Sequence, residues 1–210
     1  MTLRVLCPAK LNLFLSVGPK DASGYHPIRT IFQAVDLFDE MLISTATESS
    51  ITSNIVLPQD NTVSRAIRLM REAAVVPCLQ IHLEKRIPTG AGLGGGSSDA
   101  AGAILAINRL LPKSLPGDTL SDIARAVGAD VPFFLRGGRA RAAGYGELLT
   151  SEETPQGQWF AIAKPEIGVS TSEAYAKLDE LSFPFAELPD AAPVPCRRRE
   201  SPARVLDRLH

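Results

Sequence analysis

Pro88-Thr89-Gly90-Ala91-Gly92-Leu93-Gly94-Gly95-Gly96-Ser97-Ser98-Asp99-Ala100-Ala101 is the stretch around which the rest of the chain is organised. Five glycines fall within seven residues, two serines follow, and an alanine-rich segment then runs to Leu111. Ala100, Ala101, Ile104, Leu105 and Leu111 recur at helical spacing, so a helix is expected to open directly out of the glycine loop. Ahead of the loop, Gln80-Ile81-His82-Leu83-Glu84-Lys85 alternates polar and apolar residues, which predicts a half-buried strand with His82 on the solvent side. A glycine loop between strand and helix exposes backbone N–H groups with no side chains in the way. The helix start adds its own unpaired N–H groups and the positive end of its dipole. Together they form an anion cradle, and the natural anion is a phosphate chain. The competing reading is a flexible loop before a core helix. No Gly-Lys-Ser/Thr closes the loop, and its glycines do not fall in the order of the dinucleotide fingerprint.

Composition narrows the classes. The 210 residues suffice for one large domain or two small ones, and 45% hydrophobic with 21% charged residues is ordinary for a globular protein. A net charge of -1 leaves no basic field for nucleic acid. No apolar run approaches the length of a membrane span, and Met1 to Lys10 do not read as the apolar region of a signal peptide. Cys7, Cys78 and Cys196 are scattered without metal-ligand spacing, which fits a reducing cytoplasm rather than a disulfide framework.

Outward from the loop, Leu3 to Val17 alternates as one or two strands, with Pro8 marking a bulge or a break. Lys10 and Asn12 share a face there, either buried with partners or solvated. Ser23-Gly24 marks a turn, and Tyr25-His26 beside Pro27 either stack on a flat heterocycle or form a packed tyrosine and a solvated histidine. Ile28 to Ser44 reads as strand, turn, strand, with the turn at Leu37-Phe38-Asp39-Glu40, and a short strand is expected at Ile51 to Leu57. Asp60 or Asn61 caps a helix to about Ala74. Asp118 or Thr119 caps another that ends at Gly128. Asp130 then stands between a helix end and the apolar Val131-Pro132-Phe133-Phe134-Leu135, as a turn residue or as a paired buried carboxylate. A linker at Pro155 to Gln158 precedes an expected strand at Trp159 to Lys164, and Ser170-Thr171-Ser172-Glu173 is a capping box.

The loop, with Pro88, Gly92-Leu93-Gly94-Gly95-Gly96-Ser97-Ser98 and Ala100-Ala101, resembles the phosphate loop of the GHMP kinases. Gly128-Ala129-Asp130-Val131-Pro132-Phe133-Phe134 is similar to a second motif of the family. Pro8 to Leu15, Gly24-Tyr25-His26 and Ile31 to Leu37 resemble the branch that phosphorylates a cytidine diphosphate sugar alcohol on its 2-hydroxyl in non-mevalonate isoprenoid synthesis.

The resemblance implies an α+β GHMP kinase fold. A ribosomal-protein-S5-domain-2-like domain would span residues 1–156, a ferredoxin-like domain would begin at 157–187 and stay incomplete, and 188–210 would form a disordered or aberrant tail. It implies Asp130 as catalytic base with Lys10 beside it. ATP would be held by Asn61, Pro88, Gly90, Gly92, Leu93, Gly94, Gly95, Gly96, Ser97 and Ser98. Mg²⁺ would ride on the ATP phosphates, with Ser97 or Ser98 adding a hydroxyl to it or to the phosphate. Asn12, Tyr25, His26, Thr171 and Tyr175 would contact the acceptor, and the protein would act as a monomer or homodimer. The likeness runs from Leu3 to about Asp179, beyond which no third glycine-rich motif follows. A truncated or frame-shifted reading of a longer gene is therefore expected. Another small-alcohol kinase of the family, or a non-catalytic nucleotide-binding relic, are the alternatives.

Overall fold

The computed structural model describes residues 1–155, 157–165, 171–180 and 185–189, without the side chains of 171–173 and 175. Two long strands form its spine, β1 (Thr2–Val17) and β2 (Ile28–Thr45), paired antiparallel from Thr2–Ser44 to Val17–Ile28. The opposite edge of β2 is shared end to end by two shorter antiparallel strands. β4 (Leu79–Glu84) takes Glu40 to Thr45, and β5 (Arg139–Ala143) takes Thr30 to Gln33. β3 (Ser50–Ser53) adds in parallel beyond β4, and β6 (Leu148–Glu152) closes a hairpin with β5. The sheet order is β3-β4-β2-β5-β6, with β1 on the free side of β2.

Pro8 does not break β1. The register shifts between Pro8, opposite Phe38, and Ala9, opposite Val35, so a bulge on β2 absorbs the proline. The turn expected at Leu37-Phe38-Asp39-Glu40 is absent, and β2 runs straight through it. The stretch has no glycine or proline to reverse the chain. Its acid, Asp39, is fully buried and accepts the backbone N–H groups of Arg86 and Ile87.

The helices among the described residues are α1 (Thr62–Ala73), α2 (Gly95–Leu110), α3 (Gly117–Val127), α4 (Val131–Phe134) and α5 (Thr171–Asp179). Asn61 caps α1, accepting from the N–H groups of Val63 and Ser64 at 3.0 Å each. α3 starts one residue past Pro116 with no side-chain cap, and Asp118 instead lies in its first turn. α2 packs on β1 and β2 and is flanked by α1, α3 and α4. It approaches β1 so closely that a Cβ at Gly102 would lie 2.7 Å from the Cys7 Sγ. Its buried face carries Ala100, Ala103, Ile104 and Ile107, whereas Leu105 is 41% exposed, one residue off the stripe expected for it.

The core joins this face to Val63, Ile67 and Met70 of α1 and to Met41, Ile43, Leu79, Ile81 and Leu83 of the sheet. Gln80 and His82 point away from it into solvent, as the alternation predicts. The architecture is α+β, with helices stacked on one face of a mostly antiparallel sheet.

Trp159 to Lys164 forms no strand: it pairs with none of the described strands, and Trp159 is 84% exposed. The chain then returns to the first hairpin. Ala186 N–H donates to Ser16 Oγ at 2.8 Å, and the Phe185 ring lies 4.2 Å from the Arg29 guanidinium. Ser170 of the expected capping box lies outside the described residues. Among the described residues no helix is long and apolar enough to cross a membrane.

Candidate active site

The glycine loop leaves β4 through Lys85, Arg86 and Ile87 and enters α2 at Gly95. Gly90, Gly92 and Gly94 have φ of 67°, 71° and 73°, while no non-glycine described residue has positive φ. Dihedral sign therefore alternates along the loop, the arrangement in which successive N–H groups turn into one concavity and bind an anion. At Gly94 the demand is double, since an added Cβ would also meet the Phe134 ring at 2.8 Å. Pro88, Gly90, Gly92, Leu93, Gly94, Gly95, Gly96 and Ser97 all line one cavity of about 270 Å³. Ser98 does not; it is buried, and its Oγ has no hydrogen-bond partner.

β1 is fastened to this loop by the Lys10 N–H, which donates to the Leu93 carbonyl at 2.9 Å. The Lys10 side chain is 7% exposed and its ammonium lies 3.6 Å from Asp130 Oδ2. It also donates to Asn12 Oδ1 at 2.7 Å and stands 5.1 Å from the centroid of the Phe32 ring. Asn12 passes the chain on to Thr30 Oγ1, which donates to the Phe14 carbonyl. So the polar face of β1 has its partners, with Lys10 buried and Asn12 half-buried. Asp130, at the start of α4, keeps its side chain 32% exposed, as a group that must meet a proton donor requires. Lys10, Asn12, Asp130, Gly92, Gly94, Ser97 and Tyr145 share the wall of a cavity of about 940 Å³. An ammonium, a carboxylate and a row of main-chain amides thus converge on one space.

On the other side of the loop, Asn61 lines a cavity of about 340 Å³ together with Leu57, Thr62, Lys85, Gly96 and Asp99. Its Nδ2 also donates to the Pro58 carbonyl, and Thr62 Oγ1 ties the start of α1 to the Gly96 carbonyl at 2.6 Å. Tyr25 and His26 do not line the large cavity. His26 is turned in, with Nδ1 3.0 Å from the Gly18 carbonyl and Nε2 3.4 Å from the Asp179 carboxylate. Tyr25 is 68% exposed and meets the Tyr145 ring edge-on. The side chains of Thr171 and Tyr175 lie outside the described residues; α5 brings Ala174 and Leu178 to the cavity rim.

Residue patterns missed Tyr145, whose hydroxyl donates to Asp21 and whose ring the cavity touches. Hydrogen bonds from Ser23 and Tyr145 hold the Asp21 carboxyl down at about 2. They missed also a buried triad: the Lys85 ammonium bridges Asp39 and Asp99. Two carboxylates share one ammonium. Asp39 has two backbone donors besides, while Asp99 Oδ1 has none. Burial, only partly offset by Lys85, raises the Asp99 carboxyl to about 6. Burial lowers the Lys85 ammonium, but the two carboxylates more than reverse this and raise it. Burial first, then Asp99 and Asp39, push the Cys7 thiol upward, so it stays protonated and is no nucleophile. An acid followed by Ala-Ala at a helix start was the available signal for Asp99. Among the described residues no cluster of three or more His, Cys, Asp or Glu could hold a metal ion.

Residues 61–138 match the family model described as the GHMP kinases N terminal domain. The chain is 39% identical to the 4-diphosphocytidyl-2-C-methyl-D-erythritol kinase of Exiguobacterium sibiricum over 196 residues, 90% of this chain and 68% of that protein. It is 37% identical to the protein of the same name from Mannheimia succiniciproducens, over 82% of this chain and 59% of that one. The chain therefore belongs to the GHMP kinase family and has its fold. Within the family it is similar to a particular kind: a crystal structure of 4-(cytidine 5'-diphospho)-2C-methyl-D-erythritol kinase superposes with a TM-score of 0.64 and 43% identity, over 73% of this chain and 56% of that one. These relatives are longer than this chain, which spans less than two thirds of the Mannheimia protein and of the crystallised one.

Proposed function

We propose that this chain carries the nucleotide-gripping and phosphoryl-transfer part of a kinase that moves a phosphoryl group from ATP to the 2-hydroxyl of 4-diphosphocytidyl-2-C-methyl-D-erythritol. The observation that carries the reading is the Lys10–Asp130 pair, 3.6 Å apart, on the same cavity wall as the glycine-loop amides. Phosphoryl transfer demands positioning and charge stabilisation more than covalent chemistry. In this reading the loop amides from Gly90 to Ser97 hold the triphosphate, with Asn61 at the nucleoside end. The Asp130 carboxylate takes the proton of the acceptor hydroxyl as its oxygen bonds to phosphorus and the bridging oxygen leaves with the nucleoside diphosphate. Lys10 fixes Asp130 and stabilises negative charge on the transferred group.

Mg²⁺, when bound, would neutralise phosphate charge. The loop fits it only as a passenger on the nucleotide, and Ser97, which faces the cavities, is a better hydroxyl for it than the buried Ser98. Asn12, Tyr25, His26, Thr171 and Tyr175 are the proposed acceptor contacts. Residues 1–156 are the proposed catalytic unit and 157–187 the start of a second. The remaining proposals are cytoplasmic location, no nucleic-acid or membrane partner, and a monomeric or homodimeric state.

A non-catalytic nucleotide-binding module is the second reading. Turnover of ATP by the purified chain with the cytidine diphosphate acceptor separates the two. Steady phosphorylation that Asp130→Asn reduces about 10²–10⁴-fold supports the kinase. ATP binding with no turnover by wild type supports the module.

A further inference from the structure

We propose that Lys85 is a positioning residue that clamps the two stems of the glycine loop, through Asp39 and Asp99, and so sets the spacing of the amides that receive nucleotide phosphates. The inference rests on the nucleotide-binding reading and goes beyond it, to what shapes the loop.

The connections are specific. Asp39 Oδ1 receives the N–H of Arg86 at 2.5 Å and of Ile87 at 2.8 Å, the two residues immediately before Pro88. Asp39 Oδ2 receives the Lys85 ammonium, and the same ammonium donates to Asp99 Oδ2 in the second turn of α2. The first residue of α2 lies against the same group, since a Cβ on Gly95 would stand 3.2 Å from Asp39 Oδ2. One buried cation thus joins the strand before the loop, the central strand beneath it and the helix after it.

Between these stems the loop is otherwise fastened at Leu93, which is buried and accepts from the Lys10 N–H. An added Cβ at Gly90 or Gly92 would meet nothing within 4 Å, and glycines have the most backbone freedom to lose. Fixing both ends of such a segment narrows the range of amide geometries it samples. A stem with no task beyond stability would do as well with apolar residues of similar volume, because three buried charges are costly to desolvate. Lys85 and Asp99 also reach the nucleotide side, lining the 340 Å³ cavity beside Asn61, and Asp99 Oδ1 has no protein partner there.

The test uses the full chain and two probes, a non-hydrolysable ATP analogue with Mg²⁺ and adenosine, measured by calorimetry alongside urea unfolding. Asp39→Asn and Asp39→Ala, which break the clamp at a residue that lines neither the loop cavity nor the one beside Asn61, are each expected to weaken the analogue about tenfold or more while adenosine binding holds. A folded Asp39→Asn protein that binds the analogue like wild type overturns the clamp. So does a parallel loss of both ligands, or loss of fold in both variants, which assigns the triad to stability. Wild type that binds no analogue overturns the nucleotide reading itself, and the clamp with it.

Discussion

Gly94 shows how one residue sets the local chemistry. It combines positive φ with contact against the Phe134 ring, whereas Gly92 has the same φ and open space around its missing side chain. Gly92→Ala should cost only the left-handed strain of about 1–2 kcal/mol. Gly94→Ala should cost more, because the Phe134 ring must also move, and α4 with it. Urea midpoints of the two variants test this order; equal losses would mean that Phe134 yields freely. The same scale separates what was legible from what was not. Lys10 and Asn12 were legible as a shared face because strand periodicity is two, but their burial was not, since it depends on a helix far along the chain. Asp130 stood out as a lone acid before an apolar run. Asp39 was misread as a turn residue: its role depends on the backbone of Arg86 and Ile87, distant in sequence and invisible to any local pattern. Tyr145 hides for the same reason.

Between elements, the triad ties β2, the end of β4 and α2, and its charge balance makes stability depend on pH. Asp99 is raised from 3.8 to about 6 in the folded protein. The folded state therefore binds its proton more tightly than the unfolded chain does. Stability contributed through this group is full below pH about 4, and it falls as pH rises to about 6, beyond which it changes no further. Asp99→Asn removes the titration, so its stability relative to wild type should increase between those limits, as read from urea unfolding at each pH. A constant difference across the range would show that Asp99 titrates normally. At this scale the strand and helix at the loop were plain from alternation and helical spacing, as was the Asn61 cap. The strand at Trp159 to Lys164 was expected from composition alone, and composition does not supply the neighbouring edge that a strand needs.

For the whole molecule, a six-stranded sheet and the helices packed on it place the Lys10–Asp130 pair on one side of the loop amides and the capped start of α1 on the other. The family was legible because its phosphate loop and its Gly-Ala-Asp-Val-Pro-Phe-Phe block are contiguous stretches. The wall of the large cavity was less so, because it is assembled from Leu15, Ile28, Tyr145 and Ile162, which no single motif spans. The relatives are longer, and the large cavity is bordered on one side by 162–165 and α5. In the proposed function, bare main-chain amides before residue 100 grip a triphosphate beside Asp130. Titrating ¹⁵N-labelled protein with the non-hydrolysable ATP analogue and Mg²⁺ tests it most directly. The amide resonances of Gly90 to Ser97 should shift most, with Lys10 and Asp130 following. Shifts confined to other surfaces, or none at saturating analogue, would contradict it.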